Sequence, residues 1–387
     1  MGAEPAAAAV PPHAHPNGRP RALLLSGSLG MGHDVMAEAC ARSLQQRGWE
    51  TRTLDSLMMM GNRAGGLSHQ VFKGLLAIPG VYDGFHFSQL RTGGRLARML
   101  DATSCRFLVP TLRAELRRRP VDLLISVFAT AAAAASRVKP EHPRMVTTVF
   151  CTDVCPHLLW VHENTDLYFV TSPTAERYVR RFQPTAPVAV VPTPVRPQFY
   201  DPPPREEARR QFGVPDGARC VLLMSGSWGI GPLVDAAAAL AGHGVYVLAV
   251  AGRNAVLSSR LRQAAAADPR IIPFGFTDQV PALMAAADLV ISSSGDTCSE
   301  ARVVGRDLLL LDVIPGHGRD NLQEELVRGR ADVTSADPPA LVRSTLACLE
   351  RVTTPSAHVA RGPQAWESAF SSALDRVGLG QLVPLAR

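Results

Sequence analysis

The chain has 387 residues, of which 46% are hydrophobic and 19% are charged, and its net charge is +6 at pH 7. This length is too great for one ordinary core, so we expect two α/β domains. Seven scattered cysteines without a CxxC pair argue against a disulfide framework or a zinc site, and they favour a reducing cytoplasm. No apolar run is long enough for a membrane span, and the positive charge favours phosphates, an anionic membrane face or nucleic acid without choosing among them.

The first 20 residues are rich in Ala, Pro and His and lack the pattern of a signal peptide, so we expect a disordered tail. The folded chain begins at Arg21 with a strand over residues 22–25, which ends in a glycine-rich loop at 26–33. A helix with one apolar face and a second strand ending at Asp55 follow. Further strands are predicted over residues 121–127, 145–150, 167–170 and 188–191.

A proline-rich segment over residues 192–204 predicts an interdomain linker, because clustered prolines interrupt helices and strands. The second half repeats the opening, with a strand, a glycine-rich loop and a helix over residues 220–224, 225–232 and 233–240. Later strands are predicted over 245–251, 271–273, 289–292 and 308–311, with helices over 280–287, from Thr297 and over 364–377. Strands alternate with helices throughout, which predicts parallel sheets.

These elements predict an N-terminal Rossmann-like domain over residues 21–197 and a C-terminal one over residues 198–387. The last helix carries Trp366 and Phe370 on one face and is a candidate to pack back on the N-terminal domain.

The two glycine-rich loops share the pattern S-G-S-x-G-x-G. A loop of this kind between a strand and a helix exposes backbone N–H groups at the positive end of the helix dipole, which suits a phosphate. Two ordinary tight turns are the alternative. Neither loop has the spacing G-x-G-x-x-G, so a dinucleotide site is disfavoured although Asp55 ends the second strand.

His33 ends the first loop and is expected at the start of a helix. The helix dipole there disfavours imidazolium, and a neutral imidazole can accept a proton from a hydroxyl group. A capping or solvent-facing histidine is the alternative.

Taken with their neighbours, these residues resemble glycosyltransferase family 28. The chain is similar to monogalactosyldiacylglycerol synthases and processive diacylglycerol glucosyltransferases and, more distantly, to the N-acetylglucosaminyltransferase that forms lipid II. The resemblance spans residues 23–331. It rests on residues 26–33, 151–160, 192–196, 225–232 with 251–254, and 275–300 with 314–321.

The resemblance implies a GT-B fold, in which two Rossmann-like parallel-sheet domains face each other across a cleft. It implies inverting transfer of a hexose or N-acetylhexosamine from a UDP-sugar to a hydroxyl acceptor such as diacylglycerol. No metal ion and no cofactor other than the UDP-sugar co-substrate is expected, because cations, backbone N–H groups and helix dipoles can stabilise the leaving diphosphate. No nucleic-acid partner is expected.

Matched position by position, the resemblance assigns His33 as general base and Asp153 as its support. Glu300 falls where the family's acid takes the donor ribose hydroxyls, a task that suits a carboxylate. The other donor-binding positions are Arg196, Ser227, Gly229, Gly231, Arg253, Phe276, Thr277, Ser294, Gly295, Thr297, Asp320 and Asn321. Gly30, Gly32, His157 and Trp160 fall on the acceptor side, with a buried structural pair as the alternative for the last two.

Three departures from the family pattern lie near the donor sugar and its phosphates, at residues 293–296, 305–307 and 317–318. Two other functions stay open, the first because it resembles the same architecture and the second because of these departures. One is a UDP-sugar 2-epimerase, and the other is a non-catalytic protein that binds a UDP-sugar.

Residues 91–119 carry many arginines against only two acidic residues, Asp101 and Glu115, with apolar side chains interleaved. Such a stretch can lie on an anionic membrane, which would place the protein peripherally on its inner face. A solvated helix face is the alternative.

Overall fold

A computed structural model describes residue 15 and residues 18–27, 31–61, 79–224, 233–351 and 362–379. The chain divides into two compact units. Unit 1 comprises Met1–Leu75, Gly84–Pro192 and Gln364–Arg387, and unit 2 comprises Leu76–Asp83 and Thr193–Pro363. The predicted site positions Gly30, Ser227, Gly229 and Gly231 lie outside the described residues.

Twelve strands and fourteen α-helices make up the described part of the chain. The strands are β1 (Arg21–Ser26), β2 (Glu50–Asp55), β3 (Leu123–Ser126), β4 (Val146–Phe150), β5 (Leu167–Val170), β6 (Val188–Val190), β7 (Cys220–Met224), β8 (Tyr246–Val250), β9 (Ile271–Phe274), β10 (Leu289–Ser292), β11 (Asp307–Leu311) and β12 (Ala331–Thr334). The helices are α1 (Met31–Gln46), α2 (Ser56–Met59), α3 (Pro79–Phe85), α4 (Arg95–Arg118), α5 (Ala129–Val138), α6 (Pro173–Phe182), α7 (Arg205–Phe212), α8 (Leu233–Gly242), α9 (Ala255–Ala267), α10 (Val280–Ala286), α11 (Asp296–Val304), α12 (His317–Arg328), α13 (Pro338–Arg351) and α14 (Pro363–Arg376).

Unit 1 is built on a parallel sheet of six strands in the order β2-β1-β3-β4-β5-β6. The central strands β3 and β5 are buried along their whole length, as expected when helices cover both faces of a parallel sheet. On one face α1 buries Met36, Cys40 and Leu44, which follow the helical spacing of its apolar side.

The C-terminal helix α14 contributes to the same core of unit 1. Phe370 is fully buried, and its ring centroid lies 4.9 Å from that of Trp366 and 4.9 Å from that of Phe169 on β5. This aromatic cluster attaches the end of the chain to the sheet that begins at Arg21. His15 belongs to the segment that we predicted to be a disordered tail. The structure describes this residue, and its Nε2 lies 2.7 Å from the carboxylate of Asp122.

Unit 2 contains a second parallel sheet of six strands in the order β12-β11-β10-β7-β8-β9. Its core packs apolar strands against α7, α10 and α11 on one face and against α8, α9 and α13 on the other. The fully buried Arg209 donates to both carboxylate oxygens of Asp288 at 3.0 Å and to nearby backbone carbonyls. Its charge is therefore compensated inside the unit.

The strand orders locate one crevice in each unit. In an open α/β sheet, ligands bind beyond the carboxyl ends of the two adjacent strands at which the strand order reverses. That pair is β1 and β3 in unit 1, and β7 and β10 in unit 2. Residues after these strand ends are therefore the first place to look for function.

The predicted fold class is confirmed, because both units are parallel α/β sheets with helices between successive strands. No helix in the described part of the chain is long and apolar enough to span a bilayer.

Candidate functional site

His33 lies in the first turn of α1, directly beyond the carboxyl end of β1. Its Nδ1 lies 2.7 Å from the carbonyl oxygen of Val127, the residue that follows β3. A carbonyl oxygen can only accept a hydrogen bond, so Nδ1 carries the proton and the neutral ring has its lone pair on Nε2. The backbone carbonyl that follows β3 thereby orients the histidine that follows β1.

Aromatic side chains fix the plane of the His33 ring. The ring of Phe128 stands edge-on to it with centroids 5.0 Å apart, and the ring of Trp160 lies 6.3 Å away. Gly27 permits this packing, because a Cβ at that position would come within 2.6 Å of the Phe128 ring. The first glycine of the loop is therefore required by the wall of the site, whatever the loop binds.

Asp153 is connected to His33 through Trp160. The indole N–H of Trp160 donates to Oδ2 of Asp153 at 2.9 Å, and Nε2 of His157 lies 3.6 Å from the same oxygen. Nδ1 of His157 accepts from the N–H of Leu159 at 3.3 Å, so its Nε2 carries the proton in the neutral ring. His157 and Trp160 are both buried, which gives them a packing role around Asp153.

In unit 2 the corresponding crevice lies where β10 ends and α11 begins. Ser293, Ser294 and Gly295 form this connection, and Gly295 is the N-cap of α11 without a side-chain cap of its own. No atom lies within 4 Å of a Cβ built on Gly295, so the space beside the helix N-terminus is open. Ser294 Oγ donates to the carbonyl of Gly318 at 2.7 Å, which leaves this hydroxyl committed to the protein.

Glu300 and Arg196 form an ion pair next to this loop. Nη2 of Arg196 lies 2.9 Å from Oε1 of Glu300, and the guanidinium lies over the ring of Phe199 at 5.0 Å. Burial raises the pKa of the Glu300 carboxyl, and the charge of Arg196 opposes that rise. The pair presents one carboxylate and one cation beside the N-terminus of α11.

Two further predicted residues meet beyond the ends of β8 and β9. The guanidinium of Arg253 lies 4.6 Å from the ring centroid of Phe276, and that ring is 57% exposed. Thr277 Oγ1 accepts from the N–H of Gln279 at 3.1 Å and so shapes the turn before α10. An exposed aromatic face backed by a cation is a surface on which a planar ring can stack.

The last two predicted donor residues lie where the first turn of α12 ends, at Asp320 and at Asn321, which follows it. Two residues that the sequence analysis missed contact this turn. Oδ1 of Asp83 accepts from the N–H of Gly316 at 2.6 Å, and the hydroxyl of Tyr82 lies 3.1 Å from Nδ1 of His317. No local pattern marks Tyr82 or Asp83, because the contact joins positions more than 230 residues apart.

The sequence and fold are similar to those of known proteins. Residues 33–190 match the sequence model of the monogalactosyldiacylglycerol (MGDG) synthase family. The processive diacylglycerol beta-glucosyltransferase of Bacillus pumilus (strain SAFR-032) is 30% identical over 175 residues. The chain is therefore similar to these glycolipid-forming enzymes over part of its length. The aligned segment covers 44% of this chain and 46% of the Bacillus protein, so the chain matches less than half of that relative's length.

Solved structures extend the likeness of the fold to both units. The calicheamicin glycosyltransferase CalG4 has a TM-score of 0.59 at 14% identity, covering 95% of this chain and 100% of its own. A putative UDP-N-acetylglucosamine 2-epimerase from Listeria monocytogenes has a TM-score of 0.59 at 11% identity, covering 94% and 97%. At such low identity these TM-scores show the fold alone, the GT-B class, which here occurs in a protein named as a transferase and in one named as a putative epimerase.

Within each unit, most of the predicted site residues lie at the carboxyl edge of the sheet. In unit 1 this edge holds His33, Gly32, Asp153, His157 and Trp160. In unit 2 the residues follow β8, β9, β10 and β11, and Arg196 joins them through Glu300. Among the described residues, no group of three or more His, Cys, Asp or Glu side chains could hold a metal ion.

Proposed function

We propose that the protein transfers a hexose or N-acetylhexosamine from a UDP-sugar to a hydroxyl group of a diacylglycerol-type lipid, with inversion at the anomeric carbon. The family match and the named relatives support this acceptor class. The observation that carries the proposal is the 2.7 Å contact of His33 Nδ1 with the Val127 carbonyl, because it leaves the lone pair of the neutral ring on Nε2.

The proposed reaction is a single displacement. The acceptor oxygen attacks the anomeric carbon, the bond from that carbon to the β-phosphate oxygen breaks, and UDP leaves with the bonding electron pair. The acceptor's hydroxyl proton moves to Nε2 of His33. Asp153 acts indirectly in this scheme, since it holds the indole of Trp160 that packs near the His33 ring.

Unit 2 supplies the donor groups in this proposal. The Glu300 carboxylate accepts hydrogen bonds from the two ribose hydroxyls, and Arg196 approaches the diphosphate. Gly295 and Thr297 at the start of α11 provide backbone N–H groups and the positive end of the helix dipole. Phe276 and Thr277 border the uracil, while Asp320 and Asn321 read the sugar hydroxyls. No metal ion or further cofactor enters this scheme.

A lipid acceptor requires access to a membrane surface, and α4 offers a suitable face. Leu96, Met99, Leu100 and Phe107 are exposed, although the same helix buries Ala97, Leu108 and Leu112 on its opposite side. On a helical projection the exposed apolar residues form one stripe at intervals of three and four. A contiguous set of exposed apolar side chains is typical of a surface that contacts a membrane or another protein.

Arginines flank the same stripe. Arg95 and Arg106 lie beside it on a helical projection, and both are exposed. Exposed cations beside an apolar stripe fit the anionic headgroups and the acyl boundary of a membrane. We therefore propose that α4 docks peripherally on an anionic membrane, where the acceptor lipid resides.

Turnover by the purified protein tests the proposal. The protein is incubated in EDTA with UDP-glucose, UDP-galactose or UDP-N-acetylglucosamine, and with vesicles that contain or lack diacylglycerol. UDP release and a new glycolipid that both require diacylglycerol support the transferase. Isomerised UDP-sugar without acceptor supports the epimerase, and saturable binding without turnover supports a binding protein.

A further inference from the structure

The first turn of α12 lacks a capping side chain in its own segment. The helix begins after Gly316, whose φ of 62° lies in the region that favours glycine and which has no side chain to accept from the helix N–H groups. Gly318, in the same turn, has no room for a side chain, because a Cβ there would come within 2.4 Å of Ile314. The backbone that precedes Asp320 and Asn321 is therefore shaped by two glycines and needs an external partner.

Asp83 is that external partner. Its Oδ1 accepts from the N–H of Gly316 at 2.6 Å, and its Oδ2 lies 2.8 Å from Nη1 of Arg319. One carboxylate thus bonds the backbone before the helix and a side chain in its first turn. A carboxylate at this position also interacts favourably with the helix dipole.

Tyr82 adds a second contact to the same turn. Its hydroxyl lies 3.1 Å from Nδ1 of His317, and the two rings meet edge to face with centroids 6.0 Å apart. His317 is one of the positions at which this chain departs from the family pattern, so the partner of Tyr82 belongs to this chain's own version of the site. On another side, Ser294 Oγ holds the Gly318 carbonyl, which joins the turn to the α11 loop.

We infer that Tyr82 and Asp83 are positioning residues that set the first turn of α12 and so determine which donor sugar the site accepts. The inference rests on the proposed function, because it takes Asp320 and Asn321 as the residues that read sugar hydroxyls. Neither Tyr82 nor Asp83 needs to touch the substrate. They act through Gly316, His317 and Arg319, which lead directly into that pair.

The test compares UDP with UDP-sugars by titration calorimetry for the wild type and the Asp83→Ala, Asp83→Asn and Tyr82→Phe variants. Asp83→Ala is expected to weaken UDP-sugar binding roughly 10-fold and to leave UDP affinity unchanged, since the lost hydrogen bonds are to a charged group. Asp83→Asn keeps an oxygen for the Gly316 N–H and loses the charge opposite Arg319, so a smaller effect is expected. Asp375→Ala removes the carboxylate of a surface ion pair with Arg47 and is the matched control.

Kinetics with several UDP-sugars give the specificity readout. The ratio of kcat/KM between the preferred sugar and the next one is expected to fall in Asp83→Ala and to be restored in part by Asp83→Asn. Unchanged UDP-sugar affinity in folded Asp83→Ala and Tyr82→Phe would overturn the inference and leave the transferase proposal standing. Selective loss of UDP-sugar affinity in these variants, together with a wild-type protein that shows no turnover, would support the inference and overturn the transferase proposal.

Discussion

Arg196 and Glu300 form an ion pair at 2.9 Å within unit 2, although 104 positions separate them in the chain. Arg196 comes from the segment before α7, and Glu300 from the middle of α11. The pair therefore links the segment before α7 to the helix that follows the strand-order reversal. Ribose and phosphate are adjacent in a nucleotide. A carboxylate that accepts from the ribose hydroxyls, beside a guanidinium that approaches the phosphate, matches that arrangement.

Glu300→Gln is expected to weaken UDP binding about 10- to 100-fold, because hydrogen bonds to a charged group contribute roughly 1.5–3 kcal/mol. Titration calorimetry with UDP measures the change. Glu206→Gln alters an exposed glutamate of α7 and should bind UDP like the wild type. Equal affinities for Glu300→Gln and the wild type would remove Glu300 from the donor site.

The pH dependence of UDP binding follows from the same carboxyl group. Burial raises the pKa of Glu300, so it takes up its proton at a higher pH than an exposed glutamate does. The carboxylate form accepts the ribose hydroxyls, so affinity should fall as the pH is lowered through that raised pKa. This acid-side loss should be absent in Glu300→Gln. A wild-type affinity that is flat down to the pKa of exposed glutamates would contradict the assignment.

His33→Gln is expected to lower kcat by a factor of about 10² to 10⁴, the usual contribution of a general base. UDP affinity should not change, because His33 belongs to unit 1. His243→Gln is the control, since this exposed ring also has Nδ1 beside a backbone carbonyl, at 2.9 Å from Ala239. A kcat in His33→Gln close to that of the control would show that another group takes the proton.

Replacement of Leu96, Met99 and Leu100 by serine is expected to weaken binding to anionic vesicles at least roughly 10-fold, because each side chain loses apolar burial. Vesicle flotation or surface plasmon resonance measures the change. Val256 and Val327 are also exposed and belong to unit 2, so their serine variants serve as controls. Vesicle binding that survives the α4 changes and responds to the controls would move the docking surface elsewhere.

Gly27→Ala is expected to destabilise the protein by about 1–3 kcal/mol, because the added Cβ would overlap the Phe128 ring. Gly217→Ala is the control, since no atom lies within 4 Å of a Cβ there. The free energy of unfolding in urea measures both variants. Equal stabilities would show that Phe128 moves aside readily, and the wall around His33 would then be less rigid than we describe.

Apolar runs predicted most of the strands well, because a strand buried on both faces of a parallel sheet has to be apolar throughout. The runs at 167–170, 220–224 and 289–292 coincide with β5, β7 and β10. The strand β12 was missed, since Ala331–Thr334 is short, lies at the sheet edge and is partly exposed. The order of the strands in each sheet could not be predicted from the sequence either. The two units differ in this order despite their similar loops.

The sequence predicted which residues belong to the candidate site better than it predicted the contacts between them. Glycines, His33 and Glu300 carry visible patterns, whereas the partners that orient them are a backbone carbonyl and a distant arginine. Asp153 was assigned as the support of His33, and the contact that orients His33 Nδ1 is with Val127. Tyr82 and Asp83 gave no signal, because their role depends on tertiary contact with a glycine turn.

The anomeric configuration of the product tests the central proposal most directly. The wild-type protein is given an α-linked UDP-sugar and diacylglycerol vesicles, and the glycolipid is examined by proton NMR. A single displacement assisted by His33 predicts a β-linked glycolipid, formed with one UDP per sugar transferred. An α-linked product, or UDP release that does not depend on diacylglycerol, would contradict the account.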